Sequence, residues 1–305
     1  MHVEIDTKER KRGLLAMVAA YGSWGLLPLY WKAVQSYSAT TILCHRIVWS
    51  AAFVALLVAF TGGMAAFRAA LKDRRVLRLL CASSLMIAIN WVLYIWAVNE
   101  NRILDTSLGY YINPLVNVFL GVTFLKNRLR PVQWAAIGLA VLGVGQQVIL
   151  AGRVPSVALG LALSFALYGL IRNITPVDSL TGLLIETLVL FLPALGWLAF
   201  GPSPSGFAPG TPVSTMMLLA GAGFVTAVPL IWFAYGARRL SLVTVGILQY
   251  ISPSLGFVIG MALYGEQLTR SGWVTFACVW AALAVYTASD VIAMRRETAD
   301  ARTLS

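Results

Sequence analysis

The sequence predicts an all-α integral membrane protein, with ten transmembrane helices forming an inverted five-plus-five repeat. Three observations carry this expectation. Of 305 residues, 59% are hydrophobic and only 11% are charged, with a mean hydropathy of +0.79. A water-soluble domain of this length needs far more charge to coat its surface. Lys and Arg alternate in density from loop to loop. One motif occurs twice: Tyr111-Ile112-Asn113-Pro114 returns 139 residues later as Tyr250-Ile251-Ser252-Pro253.

The spans are read in chain order as 13–32, 38–60, 77–98, 105–124, 132–151, 155–173, 181–200, 213–235, 243–264 and 271–291. Each approximates the ~20 residues that a helix needs to cross hydrocarbon. The first follows a basic tail, as a signal peptide does, but its long apolar run has no clear small-residue cleavage site, so it reads as a transmembrane helix. The second is interrupted by His45 and Arg46. Gly201-Pro202-Ser203-Pro204-Ser205-Gly206 divides the long uncharged stretch 187–237 into the seventh and eighth spans. Residues 64–75, with Arg68, Lys72, Arg74 and Arg75 among apolar neighbours, read as a short basic amphipathic segment on the membrane surface.

The net charge of +11 is distributed as a membrane protein distributes it. The two tails and alternate loops hold 18 of the 23 Lys and Arg residues. They include Lys8 to Arg12, Arg68 to Arg78, Lys126 to Arg130, Arg172, Arg238 and Arg239, and Arg295 to Arg302. The opposite loops hold only Lys32, Arg102, Arg153 and Arg270. Cytoplasmic loops carry the excess of Lys and Arg, which places both termini in the cytoplasm and argues against nucleic acid as the partner. Nine or eleven spans would break the alternation partway along.

Ten spans divide into halves 1–152 and 153–305. Five is odd, so the second half crosses in the opposite sense, about an axis in the membrane plane. The repeat also lays Gly121 on Gly260, Leu129 on Leu268 and Trp134 on Trp273, and more weakly Trp24-Gly25-Leu26 on Tyr168-Gly169-Leu170. Pro114 and Pro253 each remove an amide and crowd the carbonyl four residues earlier, at Tyr110 and Gln249. At mid-membrane those carbonyls must be satisfied by protein, water or a ligand. Tyr111, Asn113, Asn117, Gln249, Tyr250 and Ser252 supply polar side chains around the two breaks. Packing kinks re-satisfied by neighbouring helices and a binding site are both open readings.

Arg46 is the only strongly basic residue well inside a span, and Glu186, 140 residues later, is the only carboxylate so placed. A central Arg costs at least ~2.5–3.5 kcal/mol on insertion scales, so it needs an aqueous cavity or a partner. Inversion puts Arg46 outward and Glu186 inward of their helix centres, roughly 12 Å apart in depth at 1.5 Å per residue. They are expected to flank one cavity from opposite ends rather than to form a close ion pair. Glu186 or His45 is the candidate proton carrier, with a hydrogen-bonded polar residue as the alternative for His45. Asn90 and Tyr94 share a helix face with Ala97, whereas Trp91 and Trp96 need not both line a pathway. Gly256-x-x-x-Gly260 fits close helix packing. Cys44, Cys81 and Cys278 lie in or beside apolar runs at no metal-ligand spacing and read as buried small hydrophobes.

No catalytic residues, metal ligands or cofactor follow from these residues. There is no His-Glu-x-x-His, phosphate loop, paired intramembrane aspartate or Gly-x-Ser-x-Gly elbow.

The segments 44–50 (CHRIVWS), 89–121 (INWVLYIWAVNENRILDTSLGYYINPLVNVFLG), 182–187 (GLLIET), 247–253 (ILQYISP) and 273–280 (WVTFACVW) together resemble the RarD-type permeases of the EamA family, in the drug/metabolite transporter superfamily. The resemblance runs over nearly the whole chain. It implies ten helices, an inverted repeat, cytoplasmic termini and residence in a bacterial inner membrane. RarD-type members are usually described as chloramphenicol-sensitivity permeases. One departure is visible: Gly265-Glu266 follows the ninth span, but Lys126-Asn127 follows the fourth, where members often carry Gly-Glu as well.

The expected function is secondary transport, by alternating access, of small amphipathic metabolites or drugs. The partners are that small molecule, the lipid bilayer and protons. The protein is expected to be a monomer or homodimer. Export is the favoured direction. Uptake or facilitated diffusion, and a membrane sensor or scaffold without flux, are the alternatives.

Overall fold

The structure, a computed structural model, describes residues 7–100, 102–150, 152, 155–202, 205–206, 211–264 and 270–303. Among the described residues the regular structure is helical: α1 (Thr7–Ala33), α2 (Ala39–Phe60), α3 (Met64–Lys72), α4 (Arg74–Asn99), α5 (Ile103–Thr123), α6 (Pro131–Leu150), α7 (Ser156–Ile174), α8 (Ser179–Phe200), α9 (Val213–Ala237), α10 (Leu242–Leu248), α11 (Ile251–Tyr264) and α12 (Arg270–Thr303). Side-chain caps start three of them. Ser38 accepts from the Thr41 amide at 3.1 Å, Asp178 from Thr181 at 2.9 Å and Ser241 from Thr244 at 3.1 Å. Each satisfies an amide that the first helical turn leaves without a partner.

Among the described residues nine helices are long and apolar enough to cross a membrane, with α10 and α11 together forming one of the nine. The chain is a multi-pass membrane protein. α5, of 21 residues, is outside those nine and carries Tyr110, Tyr111, Asn113, Pro114 and Asn117 along its length. Apolar side chains face outward as well as inward, with Phe200 91% and Ile149 79% exposed. In water that surface is unfavourable; against lipid tails it costs nothing. The same logic corrects the reading of the cysteines. Cys44 is buried and Cys278 is half-buried, but Cys81 is exposed on α4, because an apolar run in a membrane helix has a lipid-facing side.

One end of the bundle gathers the cations. Asp290 of α12 accepts from Arg10 at 2.6 Å and from Arg130 at 3.1 Å, and Glu9 accepts from Arg239 at 2.8 Å. Asn173 donates to the carbonyls of Ala237 and Leu240, and Arg238 donates to that of Val177. Burial pushes the Arg238 guanidinium below its usual range, and the like charges of Arg172 and Arg239 push it further the same way against Asp178. The expected surface segment is the helix α3, with only Ala70 buried.

Helix neighbours come in related pairs. α2 packs on α8, α6 on α12 and α5 on α10, each a helix from residues 1–152 against one from residues 153–305. Of the remaining pairs, α1·α9 corresponds to α4·α7, and α1·α11 to α5·α7.

The two copies of the repeated motif meet. Tyr250 donates its hydroxyl to the Tyr111 carbonyl at 3.2 Å, and a Cβ on Gly246 would lie 2.7 Å from the Pro114 carbonyl oxygen. A Cβ on Gly121 would lie 3.1 Å from Val243. Rising numbers on α10 meet falling numbers on α5, so the copies run antiparallel. They differ in shape, which corrects the expectation of two equivalent breaks. α5 runs unbroken through Pro114. The second copy breaks at Gln249 and Tyr250, ahead of Pro253, where Gln249 and Tyr250 donate to carbonyls only three residues back. Gly246 gives that short helix no side chain with which to hold its last turn, and lets it lie directly on the α5 backbone.

Gly256 also departs from its reading, since a Cβ there would meet nothing within 4 Å. Gly265, Glu266 and Leu268 lie outside the described residues.

Candidate functional site

Arg46 and Glu186 line one cavity between α2, α4, α7, α8 and α9, with Ser50, Trp91, Tyr168 and Thr226 in its wall. The enclosed space has room for on the order of one water. Each charged residue is the eighth of a 22-residue helix, and the two helices start from opposite ends of the bundle. Seven steps of 1.5 Å put each roughly 10 Å in from its own end.

Arg46 is held without a carboxylate. Its Nε donates to Thr226 Oγ1 at 3.0 Å, and its guanidinium lies 4.9 Å from the Trp31 ring centroid and 5.1 Å from that of Trp91. Desolvated cation–π contacts are worth about 2 kcal/mol each. Two of them with one hydrogen bond offset much of the insertion cost of an Arg without an ion partner. Tyr94 lies one turn beyond Trp91 on α4, away from the cationic end. Its ring is 6.3 Å from that of Tyr110, and both lie within electrostatic range of Arg46. Tyr94 is 37% and Tyr110 49% exposed.

Glu186 sits at the other end and is only 3% exposed. Ser83 donates to its Oε1, Tyr168 donates to Oε2 at 3.5 Å, and Arg172 Nε lies 3.7 Å from Oε1. Arg172 is fully buried in the last turn of α7. This corrects its assignment to a solvated basic loop: a cation at a helix end was counted with the loop, while the carboxylate on α8 draws it inward. Gly182 leaves the room it occupies, because a Cβ there would collide with the guanidinium. Next to Glu186 the bundle is closed by rings. Tyr168 stacks on Phe233 at 5.7 Å and 15°, and Trp24 and Phe165 pack around the pair.

The other expected site residues lie elsewhere. Asn113 donates to the Ala162 carbonyl at 2.7 Å, and Asn117 donates to Asn113 at 3.0 Å and to Gln249 at 3.2 Å. With Tyr250 and Tyr111 they make a polar seam joining α5, α7 and the break between α10 and α11. None of these residues, nor Pro114, Ser252 or Pro253, lines the cavity. Asn90 is tied to Leu161 and Ser164 of α7 at 2.9 and 3.0 Å. His45 is buried with Nε2 2.6 Å from the Ser205 carbonyl, away from the cavity. Trp96 stands 5.5 Å from the Arg102 guanidinium.

Sequence reasoning missed Trp31, Thr226, Ser83, Tyr168 and Arg172. A lone buried carboxylate calls for a cation, which was a signal for Arg172; nothing in the sequence marks Thr226.

Residues 11–145 match the EamA-like transporter family. An uncharacterised transporter of Vibrio cholerae is 43% identical over 94% of this chain and 95% of its own. Protein RarD of Escherichia coli is 41% identical over 96% and 99%. A solved crystal structure only 17% identical superposes with a TM-score of 0.71 over 90% of this chain and 97% of its own, which shows a shared fold. The protein therefore belongs to the EamA-like transporter family, as a RarD-type permease of the drug/metabolite transporter superfamily.

Proposed function

We infer that this permease is a secondary transporter that exports small amphipathic metabolites or drugs across the bacterial inner membrane by alternating access. In this reading α5 completes ten spans, the halves 1–152 and 153–305 are inverted copies, and both termini are cytoplasmic. The paired helix neighbours and the antiparallel motif copies support the inversion. The gathering of cations at one end supports the orientation.

The observation that carries the reading is Arg46: a guanidinium inside the bundle within 5.1 Å of two tryptophan rings, lining a cavity whose wall also holds a buried carboxylate. Ionisable groups placed this way mark substrate and ion pathways. Glu186 is the better candidate for proton coupling, because His45 lies off the cavity on a loop carbonyl.

The test is flux into proteoliposomes of known protein orientation, with a panel of aromatic carboxylates, amides and amines, with and without a pH gradient. Saturable movement towards the side opposite the basic end, faster with an opposing proton gradient, is expected. No movement of any compound under either condition would sink the reading.

A further inference from the structure

We propose that Arg46 and the rings around it, rather than the one-water cavity itself, select small amphipathic anions, with a carboxylate seated on Arg46 and an apolar ring against Trp31, Trp91, Tyr94 and Tyr110. The assignment rests on the transport reading only for the claim that the ligand is carried.

The charge count decides the sign of the ligand. Arg46 and Arg172 bring two positive charges to this buried region, and arginine stays protonated in proteins. Glu186 is the one carboxylate that meets them among the described residues, and it is engaged by Arg172 at 3.7 Å. With Glu186 ionised the region carries one net positive charge; with it protonated, two. A cationic ligand adds like charge in a poorly screened space, whereas a monoanion brings the first state to neutrality.

The geometry around Arg46 agrees. Its only hydrogen bond among the described residues uses Nε. Among the described residues the two terminal nitrogens donate to no protein group, and they are not sealed from solvent. The guanidinium, held by its Nε and flanked by two indole rings, keeps its terminal nitrogens as a fork of the kind that takes a carboxylate in a bidentate manner. Tyr94, one turn beyond Trp91 on α4, and Tyr110 of α5 place two partly exposed rings 6.3 Å apart within electrostatic range of Arg46, as an apolar ligand body attached to that carboxylate requires. Glu186, by contrast, has its oxygens occupied by Ser83, Tyr168 and Arg172 and offers a ligand cation little.

The test compares phenylacetate, phenylacetamide and phenethylamine on the purified full-length protein in detergent, by calorimetric titration and thermal shift. Phenylacetate should bind at least about tenfold more tightly than the amide, since a hydrogen bond to a charged group contributes roughly 1.5–3 kcal/mol. The amine should bind most weakly. Arg46→Gln should abolish the preference. Arg46→Lys, which keeps the charge and loses the fork, should keep the preference with weaker binding. Both variants are checked for monodisperse elution before titration. Amide or amine binding as tight as the carboxylate on the wild-type protein overturns the assignment, as does no phenylacetate binding at all. Selective flux of a neutral compound would also overturn it while leaving transport standing; anion-selective binding without flux would do the reverse.

Discussion

Gly223→Ala tests whether the site depends on the close crossing of α2 and α9. A Cβ at position 223 would fall 2.6 Å from the Ser50 amide nitrogen and nearer still to Trp49. Part of what it meets is backbone, which no rotamer change relieves. Ordinary contacts to carbon settle near 3.5–4.0 Å, so the helices must separate by about 1 Å. Thr226 lies one turn along α9 from Gly223, and Arg46 one turn along α2 from Ser50. The Arg46–Thr226 bond, 3.0 Å in the native protein, is then stretched unless Arg46 follows α9, and following withdraws it from Trp31 and Trp91. The same separation strains the 2.9 Å bond from Ser50 to the Gly223 carbonyl. Overpacking costs about 1–3 kcal/mol, and removing a helix-interior glycine returns roughly 0.5–1 kcal/mol. The difference, up to about 2.5 kcal/mol, lowers the melting temperature by roughly 2–4 °C for each kcal/mol. The assays are thermal melting in detergent and phenylacetate titration, with Gly138→Ala as control, because a Cβ at 138 meets nothing within 4 Å. The control should melt at or slightly above the wild-type temperature. Gly223→Ala melting as high as the control, with unchanged phenylacetate affinity, refutes the reasoning.

Two further outcomes follow from the buried polar groups. Arg172→Gln should destabilise by about 3–5 kcal/mol, because it leaves the Glu186 carboxylate buried without its cation; adding Glu186→Gln should recover most of that loss. Strictly additive losses in melting experiments would show that the two residues do not form a coupled pair. Asn117→Leu should cost about 1–3 kcal/mol by breaking the polar seam between α5 and the α10–α11 break. It should leave phenylacetate affinity unchanged. An affinity loss as large as that of Arg46→Gln would place the seam in the binding site.

Hydropathy and charge made most of the architecture legible. Among the described residues nine of the ten expected spans, and the short helix α3, follow from patterns along one chain. What did not follow are contacts between helices far apart in sequence. Thr226 is one hydroxyl on an apolar helix, and only the crossing of α2 and α9 brings it to Arg46. Trp31 sits near a helix end, where an aromatic reads as an interfacial anchor. Arg172 sits near a helix end too, where a cation reads as part of a basic loop; burial is decided by Gly182 opposite it. The seam of Asn113, Asn117 and Gln249 shows a different limit. Sequence placed these amides at mid-membrane and left open whether neighbouring groups or a ligand satisfy them. Their hydrogen bonds to one another and to the Ala162 carbonyl show the protein's own share of that satisfaction.

The position of Arg172 explains how a carboxylate can share a cavity with a site for anions. Arg46 and Glu186 each lie eight residues into helices that start at opposite ends. For two parallel slabs of 22 residues this leaves roughly 12 Å between them in depth. An anion on Arg46 and a bare carboxylate at that distance repel by about 1.4 kcal/mol at an effective dielectric of ~20, on the order of tenfold in affinity. A guanidinium 3.7 Å from the carboxylate converts that charge into a short dipole whose field falls off much faster. In the proposed anion site Arg172 therefore acts without touching the ligand. The buried ion pair and the guanidinium of Arg46 are thus two parts of the proposed charge arrangement, each set on the eighth residue of a 22-residue helix.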